Sequence, residues 1–170
     1  MKFLAIDLSL DNFNIIIGEE KDVIFSKTVK LLKDRNKALF ESLNYVQKMN
    51  IIDFQELQTV YATIGPGNFN GIRISISAIK AIALVNESVD IAGISSLDAL
   101  VRSHPNDNKK NICAAIKSSP GYIYIQWFDK YYRPKTEVKV INIEKENKLF
   151  ANRNNFIIVG NASEILKEKF

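Results

Sequence analysis

The chain carries three glycines and a proline within seven residues, between an apolar run typical of a strand and another typical of a helix. The strand is predicted over Thr59–Thr63 and the apolar part of the helix over Ile72–Val85. Glycine permits positive φ and close backbone approach, so this segment constrains the fold more than any other. We call it the glycine loop, and its marked residues are Gly65, Pro66, Gly67, Phe69, Asn70, Gly71 and Arg73.

The helix start after the glycine loop admits two interpretations. Asn70 is suited to cap the helix, and free N–H groups at such a start can bind an anion. Arg73 is expected in the first helical turn, where a positive charge opposes the helix dipole. An arginine so placed often has an acidic or phosphate partner. A solvated arginine after a purely structural turn is the simpler interpretation, and the motif alone favours it.

Size and composition indicate an ordinary globular chain. Its 170 residues, 46% of them hydrophobic and 25% charged, allow one domain or two small lobes. The single cysteine, Cys113, excludes an internal disulfide and lies in an apolar run typical of a core strand. No run approaches the ~20 apolar residues of a membrane span, so we expect a cytoplasmic protein without membrane contact. The net charge of +4 is spread along the chain and gives only weak support for nucleic-acid binding.

The first half of the chain shows strands at short spacing followed by alternating helices and strands. Three antiparallel strands leading into crossover units are the outline of the α/β actin-like ATPase, or ribonuclease H-like, fold. The predicted strands are Lys2–Leu8, Phe13–Gly18, Asp22–Leu31, Thr59–Thr63 and Val89–Gly93, and the predicted helices are Asp34–Met49, the one after the glycine loop as far as Asn86, and Ser95–Val101.

A polar loop at Arg102–Lys110 marks the best internal boundary, and the strand pattern begins again after it. We therefore predict an N-terminal ribonuclease H-like lobe over residues 1–103 and a short or incomplete C-terminal lobe over residues 104–170. The elements predicted in the second lobe are the strands Ile112–Ile116, Tyr122–Phe128, Glu137–Ile143 and Phe156–Val159 and the helix Ala162–Phe170.

The turn after the first strand is the place where this fold could hold a phosphate or a metal-binding carboxylate. Asp7 ends that strand and Ser9 follows, but Leu8 closes the turn, which therefore resembles a degenerate phosphate turn. A nuclease or phosphotransferase using Asp7 remains the alternative function. Lys117 stands where a further carboxylate would be needed, and His104 has no ligand or triad partner at a useful spacing. We expect no metal, cofactor or catalytic residue.

The helix after the glycine loop is apolar on two sides and carries small residues that suit close helix packing. One side can pack on its own core. The other is covered either by the second lobe or by a partner, and the small residues favour a partner. The residues expected at such an interface are Ile74, Ser75, Ala78, Ala81 and Ile82 from this helix, with Leu39 and Leu43 from the preceding one.

Several motifs in fixed order resemble the bacterial TsaB family, also called YeaZ and labelled glycoprotease-like in older schemes. The most specific is the run from Gly65 to Arg73, with Gly-Pro-Gly-x-Phe-x-Gly-x-Arg. The resemblance is good over about the first three quarters of the chain. The other matching segments are Leu4-Ala5-Ile6-Asp7, Ile91-Ala92-Gly93-Ile94-Ser95-Ser96-Leu97 and Ala114-Ala115-Ile116 before Tyr122-Ile123-Tyr124.

This resemblance implies an actin-like fold and a non-catalytic scaffold for threonylcarbamoylation of the adenosine beside the tRNA anticodon. It implies two protein partners, the catalytic subunit TsaD and the ATPase TsaE. It also implies a possible homodimer through the same helical face, and contact with tRNA only through the complex. Proteolysis is suggested only by the older family label, and no nucleophile–base pair in the sequence supports it.

Overall fold

The computed structural model describes residues 1–30, 34–105, 110–146, 149–150 and 155–169. The chain divides into two compact units, Met1–Ile94 and Ser95–Phe170. The predicted ends of two elements, Leu31 and Phe170, lie outside the described residues, as does the part of the predicted boundary loop at 106–109.

The first unit is built on a five-stranded sheet in the order β3-β2-β1-β4-β5. β1 pairs with β2, and β2 with β3, in antiparallel fashion, whereas β1 and β4 run parallel. The predicted meander followed by crossover units is confirmed. The elements of this unit are β1 (Lys2–Asp7), β2 (Asn12–Glu19), β3 (Asp22–Lys30), α1 (Arg35–Lys48), a 3₁₀ turn (Phe54–Glu56), β4 (Thr59–Gly65), α2 (Phe69–Val85) and β5 (Asp90–Ser95), whose last residue falls in the second unit.

The second unit repeats this design with a four-stranded sheet in the order β8-β7-β6-β9. β6–β7 and β7–β8 are antiparallel and β6–β9 is parallel, as in β1–β2, β2–β3 and β1–β4. The predicted α/β actin-like, ribonuclease H-like fold is therefore confirmed, with a smaller second sheet among the described residues. The elements are α3 (Ser96–Arg102), β6 (Asn111–Lys117), β7 (Tyr122–Phe128), β8 (Lys139–Asn142), β9 (Phe156–Val159) and α4 (Ser163–Lys169).

The boundary between the two units falls at Ile94/Ser95 and not at the predicted position after residue 103. The reason is α3, which contacts β6 and β7 and so belongs to the second unit. Ser95 begins this helix, because its side chain accepts a hydrogen bond from the N–H of Asp98. The loop after α3 is polar because it is a connection at the surface, and the boundary between the units lies before α3.

Each unit has its own apolar core, formed by alternate residues of its strands together with residues from its helices. The first core includes Leu4, Ile6, Phe13, Ile15, Ile17, Leu39, Val46, Ile79 and Ile82. The second includes Cys113, Ala115, Ile123, Ile125, Trp127 and Leu166, so the prediction that Cys113 is a core residue is confirmed.

The end of α2 is fixed by Asn86, a buried residue that follows the helix. Its Nδ2 group donates hydrogen bonds to the carbonyl oxygens of Phe54, Gln55 and Leu57, at 3.0–3.2 Å. One amide therefore ties the C-terminus of α2 to the 3₁₀ turn before β4. Together with the glycine loop at the other end, this contact sets the position of α2 on the sheet.

Candidate functional site

The carboxylate of Asp7 lies at the end of β1, at the centre of a hydrogen-bond network. Its Oδ1 accepts from the backbone N–H of Ser9 at 2.8 Å, from the Ser9 hydroxyl at 2.6 Å and from the Thr63 hydroxyl at 2.7 Å. Its Oδ2 accepts from the Asn14 side-chain amide at 3.1 Å, and Thr28 donates to that same side chain. Asp7 therefore joins β1 to its neighbours β2 and β4 and to the following turn.

This network determines what Asp7 can do chemically. A carboxylate offers about four lone-pair positions, and four donors already contact this one. Three of them are on Oδ1, so that oxygen has no position left for a metal ion or a substrate proton, whereas Oδ2 accepts from Asn14 alone. The environment supports the structural role that the closed turn at Leu8 suggested.

The glycine loop packs directly on the turn after β1. A Cβ at Gly71 would lie 1.9 Å from the carbonyl oxygen of Leu8, and one at Gly67 would lie 2.3 Å from that of Ser9. The N–H of Asn68 donates to this Ser9 oxygen at 2.7 Å. Glycine is thus required at both positions because two backbone segments touch there.

The helix cap differs from the sequence prediction. Asn68, and not Asn70, caps α2: its side-chain oxygen accepts from the N–H of Gly71 at 2.9 Å. The helix begins at Phe69 because Asn68 has extended backbone angles, and its carbonyl accepts the first helical bond, from Ile72. Asn70 lies within the first turn and is exposed. The N–H groups of Asn68 and Gly71 at this helix start are thus taken up by acceptors within the protein.

The earlier start of α2 also changes the position of Arg73. It is the fifth residue of the helix, one turn beyond the capped end, where the helix dipole is weak. Its guanidinium lies over the ring of Phe69, with the Cζ atom 5.4 Å from the ring centroid. Phe69 is 70% exposed, so this pair stands at the surface. The predicted conflict between Arg73 and the dipole is therefore wrong.

A groove of about 1030 Å³ lies along α1 and α2 in the first unit. Its floor is apolar, and two of its wall residues, Phe40 and Val85, are more than 65% exposed. We call it the α1–α2 groove. The apolar and small residues that line it are Leu39, Phe40, Leu43, Phe54, Ile74, Ser77, Ala78, Ala81, Ile82 and Val85.

One end of the α1–α2 groove is polar. There it is lined by Asp34, Arg35, Asn36, Asn68, Asn70 and Arg73. Asp34 caps α1 by accepting from the N–H of Lys37 at 3.1 Å, and Arg35 donates to the Leu10 carbonyl oxygen at 2.9 Å. Asp34 and Arg35 thus make hydrogen bonds within the first unit, whereas Arg73 contacts the exposed Phe69 ring.

The structure brings six of the seven expected interface residues to the α1–α2 groove. Leu39, Leu43, Ile74, Ala78, Ala81 and Ile82 all line it. The exception is Ser75, which is fully buried and donates its hydroxyl hydrogen to the carbonyl oxygen of Gly71, four residues earlier. Ser75 therefore faces the interior of the unit, and its assignment to the surface was wrong. Ser75 lies four residues from both Gly71 and Ile79, which are buried. This helical spacing predicts that Ser75 is buried as well.

Sequence reasoning also missed the partners of Asp7. Thr63 and Asn14 have polar side chains beside the ends of their strands, and Asn14 is the register partner of Asp7. Reading the meander with its register would have placed Asn14 there. The position of Thr63 beside Asp7 results from the parallel pairing of β1 with β4, which a single sequence does not show.

In the described part of the chain, no group of three or more His, Cys, Asp or Glu side chains is placed to hold a metal ion. Over the same residues, no helix is both long enough and apolar enough to cross a membrane.

Comparison with known proteins agrees with this architecture. Residues 34–169 match the family model described as TsaD, tRNA N6-adenosine threonylcarbamoyltransferase. The tRNA threonylcarbamoyladenosine biosynthesis protein TsaB of Buchnera aphidicola subsp. Schizaphis graminum (strain Sg) is 30% identical, over 98% of this chain and 81% of its own length. The chain belongs to the TsaB family. A second TsaB, from Buchnera aphidicola subsp. Acyrthosiphon pisum (strain APS), is 23% identical over 96% of this chain and 76% of its own.

Two solved structures share the TsaB fold seen here. YeaZ from Pseudomonas aeruginosa superposes with a TM-score of 0.83, covering 99% of this chain and 79% of that one. An uncharacterized protein with similarity to peptidase YeaZ, also from Pseudomonas aeruginosa, gives a TM-score of 0.78 over 92% and 74%. Both are 17% identical to this chain, so they establish the fold alone.

Proposed function

We propose that this chain takes part in forming threonylcarbamoyladenosine in tRNA, as a non-catalytic subunit that binds TsaD through the α1–α2 groove. Membership of the TsaB family supports the pathway. The observation that carries the docking role is the groove itself, a cavity of about 1030 Å³ lined largely by apolar side chains of two neighbouring helices. Contiguous exposed apolar side chains, such as Phe40 and Val85 at its walls, are typical of a protein interface.

The chemistry of the turn after β1 supports a role without catalysis. Asp7 is the carboxylate that an enzyme of this fold would use, and it is engaged within the protein: its Oδ1 accepts from Ser9 and Thr63 and its Oδ2 from Asn14. Backbone atoms of the glycine loop pack against the carbonyl groups of the turn that follows it. Lys117, at the end of β6, donates its N–H to Asn161 and brings a positive charge where a metal site needs a negative one.

TsaD suits the α1–α2 groove because the same family model covers both proteins. A related fold presents a related pair of helices, and two such pairs can pack face to face. A second copy of this chain could use the same face, so a homodimer and the TsaD complex would compete for it. We further propose TsaE as the ATPase of the assembly, a cytoplasmic setting, and contact with tRNA at physiological salt only within the complex.

Arg73 supplies specificity in this proposal. The Phe69 ring supports its guanidinium at the polar end of the groove, and that ring is itself 70% exposed. An acidic side chain of TsaD is the expected partner, because an arginine held in place by an aromatic ring loses little freedom on pairing. Arg73→Glu should weaken binding of TsaD, whereas Arg73→Lys should weaken it less.

The proposal is tested by depleting the protein from cells and measuring threonylcarbamoyladenosine in their tRNA. We expect the modification to fall and to be restored by the wild-type chain. An Asp7→Asn variant that is folded by circular dichroism should also restore it, because the carboxylate has no chemical role. Loss of rescue by folded Asp7→Asn would support the enzymatic alternative. Unchanged modification after depletion would refute the proposal itself.

A further inference from the structure

The connection between β7 and β8 forms an ordered basic loop, which we define as Asp129–Lys135. The Asp129 Oδ1 atom accepts from the N–H groups of Tyr131 and Arg133, at 2.8 and 2.9 Å. The Asp129 N–H donates to the Arg133 carbonyl, and the Lys135 N–H donates to the Trp127 carbonyl. The loop conformation is therefore fixed by the Asp129 carboxylate and by main-chain hydrogen bonds.

The basic loop presents an exposed aromatic ring with two cations over it. Tyr131 is 56% exposed. The Lys130 Nζ atom lies 5.0 Å from the centroid of its ring, and the Arg133 Cζ atom lies 5.2 Å away. Tyr132 is turned the other way, and its hydroxyl donates to the carbonyl oxygen of His104 in the same unit. The loop thus displays one aromatic surface and uses the other tyrosine as an anchor.

Charge around Tyr131 is predominantly positive. Lys130, Arg133 and Lys135 are exposed, and the single acid of the loop, Asp129, is half-buried and engaged by the backbone. Its carboxylate lies near Arg133, at 3.9 Å from the Nε atom. The surface of the loop therefore carries more positive than negative charge, together with an exposed ring.

We propose that the basic loop is an RNA-binding site in which Tyr131 stacks on an unpaired base while Lys130 and Arg133 contact the flanking phosphates. Cations beside an exposed aromatic ring are the arrangement that binds single-stranded nucleic acid, since every base has a face to stack and every linkage a charge. An acidic protein partner would use the cations but would not need the ring. That the RNA is a tRNA rests on the function proposed above.

The number of cations predicts how strong such a contact can be. Two or three phosphate contacts give weak binding, with a slope of log affinity against log salt of about −2. The isolated chain should therefore bind tRNA measurably at low salt and hardly at all at physiological salt. In a complex that already holds the tRNA at another site, the effective concentration of the tRNA at the basic loop is high, so the same contact would form at physiological salt.

The test measures binding of unmodified tRNA to the isolated full-length chain across a series of low salt concentrations. Lys130→Ala/Arg133→Ala should lower the slope of log affinity against log salt by about two, one for each lost phosphate contact. Tyr131→Ala should weaken binding at least about fivefold, and Tyr131→Phe should retain it. All these side chains are exposed, so the variants should fold.

The matched control is Lys21→Ala/Lys30→Ala, which removes the same charge from exposed positions in the first unit. It should leave both the slope and the affinity near those of the wild type. Equal losses in the two double variants, or an unchanged affinity in Tyr131→Ala, would overturn the proposal. Because TsaD is absent from the experiment, its result is independent of whether the α1–α2 groove binds TsaD.

Discussion

The Thr63 hydroxyl donates a 2.7 Å hydrogen bond to the Asp7 carboxylate and so links the ends of the parallel strands β4 and β1. Removing this donor with the isosteric Thr63→Val should destabilise the first unit by about 1–3 kcal/mol, because a hydrogen bond to a charged group is lost. Asp7→Asn should cost a similar amount, since the new side-chain NH₂ group would face the NH₂ group of Asn14 and no hydrogen bond can form between two donors. Urea denaturation of each variant measures both effects. A cost below about 0.5 kcal/mol for both would show that the network is not structural.

The contact between the glycine loop and the turn after β1 predicts a severe effect at Gly71. In Gly71→Ala the new Cβ would lie 1.9 Å from the Leu8 carbonyl oxygen, so one of two packed backbones must move. We expect a loss of roughly 3–5 kcal/mol or failure to fold, measured by thermal or urea unfolding.

Gly121→Ala is the control for this effect. Gly121 has a φ of +78° but no atom within 4 Å of an added Cβ, so only backbone strain of about 1–2 kcal/mol is expected. Equal costs for the two alanine variants would contradict the close approach at Gly71.

The two asparagines of the glycine loop should differ in their contribution to stability. Asn68→Ala removes the cap of α2 and should cost about 1 kcal/mol. Asn70→Ala should change the free energy of unfolding by less than about 0.5 kcal/mol, because Asn70 is exposed within the first turn. The comparison is made by urea denaturation of the two variants side by side. If Asn70→Ala lowered the free energy of unfolding more than Asn68→Ala does, Asn70 would be the cap, as the sequence predicts.

The basic loop should lose order in acid. Backbone hydrogen bonds from Arg133 and Tyr131, with the charges of Arg133 and Lys135, lower the pKa of Asp129 below its ordinary value of 3.8. Because the pKa of Asp129 is lower in the folded loop than in the unfolded chain, its ionised carboxylate stabilises the folded loop at pH values above the unfolded pKa. This stabilisation is lost as the pH falls through the folded pKa. Amide NMR signals of Tyr131 and Arg133 should therefore shift together, with a midpoint below 3.8. A midpoint at or above that value would contradict the role of the two N–H donors.

Much of the fold was accessible from the sequence because local patterns encode it. Alternating apolar residues such as Phe13, Ile15 and Ile17 identified the strands, and the glycines located the tight connection into α2. The helix cap was misplaced by two residues because Asn68 and Asn70 have equal intrinsic preference for a cap. In the folded chain it is Asn68 that accepts from the N–H of Gly71 and begins the helix.

The site was less predictable because it depends on contacts between distant segments. The face of α2 at the groove was identified by its small and apolar residues, yet Ser75 was placed on that face although it points inward. The hydrogen bonds of Asp7 to Thr63 and Asn14 depend on sheet order and register. The basic loop was overlooked because its charges are few, and only the folded chain places Lys130 and Arg133 beside one ring.

The most direct test of the proposed scaffold role is the dissociation constant between this chain and TsaD, measured for the wild type, Ala78→Arg and Ser26→Arg. Ala78 lines the α1–α2 groove, whereas Ser26 is exposed on β3 and lies outside it. An arginine in the groove should weaken binding at least about a hundredfold, because a charge would be buried in an apolar contact. Ser26→Arg should bind as the wild type does. Wild-type affinity in a folded Ala78→Arg variant would contradict docking through this groove.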